Sequence, residues 1–163
     1  MDPVSTAGNA PAGGEPRRAR PAYLTPSLLG LVFVGGAVGT AIRARLETAF
    51  PTPTGGWPWA TFWINLSGAL VLGLLLESLL LSGPDRGWRR RVRLGVGTGV
   101  MGGYTTYSTF IVEIDQLLRG GHPWAGSAYA LGSVALGIGC ALAGITLARR
   151  LWSTRATRAE ARA

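Results

Sequence analysis

Four long apolar stretches alternate with short polar ones along the chain. The first runs from about Ser27 to Leu46 and the second from about Trp57 to Leu81. The third runs from near Val92 to about Leu118, and the fourth from about Pro123 to Leu147. A bilayer core takes about 20 residues of helix, and each stretch reaches that length. The breaks between them are rich in turn formers: Phe50-Pro51-Thr52-Pro53-Thr54-Gly55-Gly56, then Ser82-Gly83-Pro84-Asp85-Arg86-Gly87, then Gly120-Gly121-His122-Pro123. Trp57, Trp59 and Trp63 cluster at the start of the second stretch, as aromatics do at a membrane surface. The pattern predicts an all-α membrane protein with four transmembrane helices. Residues 25–149 form the membrane domain, preceded by a disordered tail at 1–24 and followed by a basic tail at 150–163.

The third stretch differs from the others. It carries Gly95, Gly97, Gly99, Gly102 and Gly103, followed by Tyr104-Thr105-Thr106-Tyr107-Ser108-Thr109-Phe110. Paired glycines and β-branched threonines make poor helix. An unwound turn is expected around residues 102–106, in the middle of the membrane. Backbone without helix partners survives at that depth only when buried in protein or lining a polar cavity.

Composition narrows the class. Only 15% of the residues are charged, against 47% hydrophobic, whereas soluble domains carry about 25% charged residues. All 16 basic residues are arginines. In a soluble protein the net charge of +8 would point to nucleic acid. Here the arginines flank the spans and set their orientation. Four spans put the N-terminus, the second loop and the C-terminus on one side. That side collects Arg17, Arg18, Arg20, the run Arg86 to Arg93, and Arg149 onward, against Arg43, Arg45 and Arg119 on the other. Both termini are therefore expected in the cytoplasm, with the protein in the cell membrane. Arg17, Arg18 and Arg20 ahead of an apolar run also resemble a signal peptide, but three further spans follow. One cysteine, Cys140, and one histidine, His122, leave no set for a zinc or Ser-His-Asp site. No enzyme chemistry is indicated.

Polar groups inside the spans are the candidates for function. Asn65 lies mid-span and shares a helix face with Thr61, one turn away. Thr105, Thr106, Ser108 and Thr109 crowd next to the expected break. Tyr107 and Phe110 are three apart, and Glu113 follows at the same interval. In the fourth span Tyr129 and Ser133 are one turn apart. Arg43 ends a first-span face on which Gly35 and Gly39 permit close helix approach. Each also has a plain structural use: interhelical glue for Asn65, lipid contact for the aromatic pair, an interfacial charge for Arg43, Glu113 or Glu77.

Three motifs on successive spans now stand together. They are Gly35-Gly36-Ala37-Val38-Gly39-Thr40-Ala41-Ile42-Arg43, the stretch Thr61 to Gly68 around Asn65, and Gly102-Gly103-Tyr104-Thr105-Thr106-Tyr107-Ser108-Thr109-Phe110. In that order they resemble the CrcB/Fluc family of fluoride channels, over about residues 27–149. The resemblance implies a fluoride-selective channel that exports fluoride passively through two narrow pores of an antiparallel dimer, with a central structural sodium ion. It implies that Asn65 lines the pore, that Tyr107 and Phe110 flank the ion, and that Thr106, Thr109, Tyr129 and Ser133 extend a polar track. Arg43 would sit at a vestibule and Glu113 near the path. The backbone carbonyls of Gly102 and Thr105 would hold sodium, a hard cation suited to oxygen ligands. Fluoride must exchange its water for donors, which Asn and hydroxyl groups carry and which the positive edge of an aromatic ring approximates.

Two positions depart from the family pattern, which usually has Phe where this chain has Tyr107 and Tyr where it has Ala44. The charge asymmetry is a third point. A homodimer needs one chain to insert both ways, whereas this chain is biased one way. The expected partner is a paralogous subunit of opposite orientation, with membrane lipid around both. A small proton-coupled drug exporter, also a four-span antiparallel dimer, would need a membrane carboxylate in its first span. Glu47 falls past the expected end of that span. A non-transporting scaffold would leave the hydroxyl and aromatic cluster at the break without a purpose.

Overall fold

A computed structural model describes residues 25–160, with side chains to Thr154. The expected N-terminal tail lies outside the described residues. Helix α1 spans Pro26–Ala49 and α2 spans Trp59–Leu81. A short α3, Trp88–Val92, runs directly into a π-helical stretch, Arg93–Val100, and then into α4, Met101–Tyr104. After a break come α5, Ser108–Arg119, and α6, Pro123–Glu160. Among the described residues there is no strand.

Three helices are long and apolar enough to cross a membrane: α1, α2, and α6 over Pro123–Thr154. The chain is a multi-pass membrane protein. Its surface fits that solvent, with Phe33 78%, Leu131 73% and Leu80 71% exposed, a cost in water but not in hydrocarbon. Pro26 opens α1, where its missing N–H is no loss, and Pro51 follows its end. The helix outlasts its apolar stretch by one turn. Arg43 Nη1 pairs with Glu47 at 3.2 Å across that turn, so Glu47 lies inside α1 rather than beyond it. Likewise α6 continues past Leu147 into the basic tail.

Small residues govern the packing. The π-helical stretch and α4 lie along α1, backbone to backbone. A Cβ at Gly39 would strike the Val100 carbonyl, and one at Gly103 would strike the Gly36 carbonyl. Helix α2 crosses α6 in the same way, with Gly73 against Ala141 and Gly144 against Leu70. Such close approach is how helices associate in lipid, where no hydrophobic force separates them from solvent. The apolar core is Phe62, Leu66, Phe110, Leu117 and Tyr129, drawn from α2, α5 and α6.

The interruption of the third stretch is real, but it sits later than the sequence suggests. Gly102 and Gly103 are helical, and the break covers Thr105, Thr106 and Tyr107. Thr105 is fully extended, at φ −79° and ψ 154°. The glycines serve the approach to α1, while a side chain from α2 opens the backbone three residues on. The π-helical stretch has no counterpart in the sequence reading; its wide turns are set by i to i+5 bonds such as Met101 N to Val96 O.

Candidate functional site

The site is built around the break. Asn65, from the middle of α2, clasps Thr106 from both sides. Its Nδ2 donates to the Thr106 carbonyl at 3.0 Å, and the Thr106 amide donates to its Oδ1 at 2.9 Å. A single side-chain amide thus replaces the two helix bonds that Thr106 would otherwise make. The Thr106 hydroxyl accepts from the Thr109 amide at 3.2 Å and donates to Thr109 Oγ1 at 3.1 Å. It thereby satisfies one of the amides left open at the start of α5.

These bonds have a consequence for the carbonyls. In an unbroken helix the Gly102 carbonyl would accept from Thr106 N, and the Thr105 carbonyl from Thr109 N. Both amides are turned to side chains instead, to Asn65 Oδ1 and Thr106 Oγ1. The two carbonyls expected to hold a cation are therefore the two whose helix donors have been diverted. They are hard oxygen donors, suited to sodium. The neighbouring Gly103 carbonyl is occupied, accepting from Arg43 Nε at 3.2 Å and Thr40 Oγ1 at 3.5 Å. Thr105 Oγ1 bonds back to Met101 O at 2.8 Å and serves the end of α4.

The aromatic residues form a chain leading away from the break. Tyr107 and Phe110 have ring centroids 6.3 Å apart, and Phe110 and Tyr129 are 5.2 Å apart. Phe110 is 8% exposed and Tyr129 is fully buried, whereas Tyr107 is 76% exposed. Beyond Phe110, Glu113 joins three helices: it accepts from Thr61 Oγ1 of α2 and from the Tyr129 hydroxyl of α6, each at 2.7 Å. Ser133 lies one turn past Tyr129, its hydroxyl buried without a hydrogen-bond partner.

Asn65, Thr106, Thr109, Tyr107, Phe110, Tyr129 and Glu113 thus form one connected set. Arg43 stands apart from that set, tying the end of α1 to α4 through Gly103. Two features were not anticipated. Thr61 completes the Glu113 clasp, although the sequence offered it only as a neighbour of Asn65. Tyr104 and Ser67 bond at 2.9 Å between α4 and α2. Because the Ser67 proton goes to Ile64 O, Tyr104 is the donor there. A cavity of about 410 Å³ opens beside Glu113, lined also by Gln116, His122 and Thr52. His122, read from sequence as a loop residue, stands at this mouth with the first loop folded against it at Gly55. Glu77, read as an interfacial charge, accepts from Arg149 Nε at 2.7 Å.

Comparison with known proteins agrees with this architecture. The family described as CrcB-like protein, Camphor Resistance (CrcB), matches residues 30–145. Similar proteins include "Fluoride-specific ion channel FluC 1" of Cutibacterium acnes, 54% identical over 69% of this chain and 78% of its own length. Another is "Fluoride-specific ion channel FluC 2" of Leifsonia xyli subsp. xyli, 51% identical over 80% of this chain and 90% of its own. A third, "Fluoride-specific ion channel FluC" of Hyphomonas neptunium, is 38% identical over 76% and 96%. These relatives are named as channels, not enzymes. The match spans the break, the clasp and the glycine-packed helices together, and the chain belongs to the CrcB family, the family of the fluoride-specific ion channels.

Proposed function

We propose that this chain is one subunit of a fluoride-selective channel that lets fluoride leave the cytoplasm by passive permeation through the pores of an antiparallel dimer. The observation that carries the reading is the opened backbone at residues 105–107, held by Asn65 in the middle of a membrane protein. Opened backbone in such a protein is held only where it is buried or lines a polar cavity, and a pore is the cavity the family resemblance supplies. Two kinds of group result. One is the pair of diverted carbonyls at Gly102 and Thr105, which would bind a structural sodium ion with their counterparts in the second subunit. The other is a set of donors with spare capacity: the second N–H of the Asn65 amide and the proton of Thr109 Oγ1, whose oxygen accepts from Thr106. Fluoride, stripped of water, takes such donors and ring edges in turn. Phe110 supplies an edge, and Tyr107 adds a hydroxyl that the usual Phe lacks.

A partner subunit would cover what one chain leaves open. Tyr107, although central to the motif, is mostly exposed in the single chain, and Gly102 is exposed as well. The first half of the broken segment packs along α1 and α5 packs against α6, and together they would make the fourth crossing. Both termini then lie in the cytoplasm, by the distribution of arginines. Because that bias is one-sided, the partner is a paralogous chain of opposite orientation.

Fluoride efflux from proteoliposomes tests the function, with chloride as control and Asn65→Asp and Phe110→Ile as variants. Fluoride-selective flux that both variants reduce is expected. Absence of fluoride flux from a correctly paired, folded dimer overturns the reading. A reporter on each terminus of the chain expressed alone tests the pairing. Equal populations of both orientations, with full transport, would exclude the heterodimer.

A further inference from the structure

The end of the molecule opposite His122 carries a second constructed feature. Between residues 82 and 93 stand five arginines, Arg86, Arg89, Arg90, Arg91 and Arg93, against one acid, Asp85. Asp85 is already engaged, accepting from Arg93 Nε at 3.0 Å and Nη2 at 2.7 Å. Arg89 is held differently. Its Nε donates to Ser82 Oγ at 2.9 Å, and its guanidinium lies 5.3 Å from the centre of the Trp88 ring. This leaves both Nη groups positioned, with no carboxylate bound to them among the described residues.

Two grooves flank the Ser82–Arg89 pair, one lined by Arg89 and the other by Ser82. One, of about 320 Å³, is walled by Leu76, Leu79 and Leu80 and rimmed by Arg89 and Arg93. The other, of about 260 Å³, is lined by Leu75, Leu79, Val92, Trp88 and Leu151. Leu79 belongs to both, and the Ser82–Arg89 hydrogen bond stands between them. Both are lined by α2 residues, and Leu76 and Leu80 of the first groove are exposed.

We propose that this is a binding site for one anionic diacyl phospholipid, with its phosphate on Arg89 and one acyl chain in each groove. Charge selects the occupant: the rim is strongly positive, and its one carboxylate is neutralised. Shape agrees, since paired apolar grooves beneath a cationic ridge match a headgroup with two tails. A zwitterionic lipid would bring its own cation to the arginines and lose the advantage. Bound there, the lipid joins α2, α3 and α6 at one end of the bundle. The proposal does not depend on fluoride conduction.

Native mass spectrometry of the full chain in detergent tests it, titrating phosphatidylglycerol against phosphatidylcholine with identical acyl chains. Tighter retention of one phosphatidylglycerol is expected, weakened about fivefold by Arg89→Gln, the usual contribution of one arginine to an anionic headgroup. Arg91→Gln removes the same charge from an exposed position outside both grooves and should change retention by less than twofold. Equal retention of the two lipids by the unaltered protein overturns the proposal, whatever the variants do. So does equal weakening by Arg89→Gln and Arg91→Gln, which would indicate a diffuse surface charge. Binding of sn-glycerol 3-phosphate, which has no chains, as tight as that of the lipid also overturns it, because the grooves would then contribute nothing.

Discussion

The Glu113 carboxylate is the clearest case of a residue whose use depends on partners far along the chain. Thr61 is 52 positions away and Tyr129 is 16 away, yet both hydroxyls reach it at 2.7 Å. Tyr129→Phe removes one of these bonds at nearly constant volume. It should cost about 1–2 kcal/mol, somewhat above a neutral hydrogen bond because the acceptor is a carboxylate, read as a fall in melting temperature in detergent. Thr61→Val removes the other. The double variant should lose less or more than the sum, because both bonds share one acceptor. Strict additivity would separate the two contacts. Asn65→Ala is expected to be harsher than either. It leaves the Thr106 amide and carbonyl both without partners, at about 1–3 kcal/mol for each buried group, and fluoride flux should fall with the melting temperature. The residue types were visible in the sequence: an amide, a cluster of hydroxyls and a lone acid within apolar spans. Their pairings were not, because helical periodicity relates positions one turn apart and says nothing of a contact between Asn65 and Thr106.

Among elements, the three continuous helices were readable from length and hydropathy, and the broken one from its glycines and threonines. The position of the break was displaced because propensity was asked to decide it. Gly102 and Gly103 are poor helix formers in isolation, but packing against α1 keeps them helical. Asn65 then determines where the helix stops. The glycines divide accordingly into two groups. Gly39→Ala and Gly103→Ala drive a Cβ into the backbone of the facing helix, at Val100 and Gly36. Each should cost about 1–3 kcal/mol or more, since backbone cannot move aside as a side chain can. Gly132→Ala meets nothing within 4 Å and should melt with the unaltered protein or slightly above it. Circular dichroism melts of the three variants in one detergent check this contrast. The extra turn of α1 was hidden for a different reason: Glu47 closes the apolar run, yet its pairing with Arg43 carries the helix on.

At the scale of the whole molecule, arginine placement argues for a chain committed to one orientation. Replacing Arg86, Arg89, Arg90 and Arg91 together by Gln should weaken that commitment and yield a mixed population, read with reporters on the termini. The broken segment also bears on how such a molecule is made. Helices α1, α2 and α6 each carry the length and hydropathy to enter the bilayer alone. Residues 88–119 do not, because their longest uninterrupted stretch contains glycine in place of apolar side chains and their second half holds Glu113 and Asp115. By the time they leave the ribosome, α1 and α2 have already been synthesised, presenting a glycine-lined face and a waiting Asn65. Templated biogenesis is the expected outcome. The broken turn packs on neighbours that precede it in translation, and residues 88–122 fused alone to a carrier should fail to integrate where the chain from residue 25 onward succeeds.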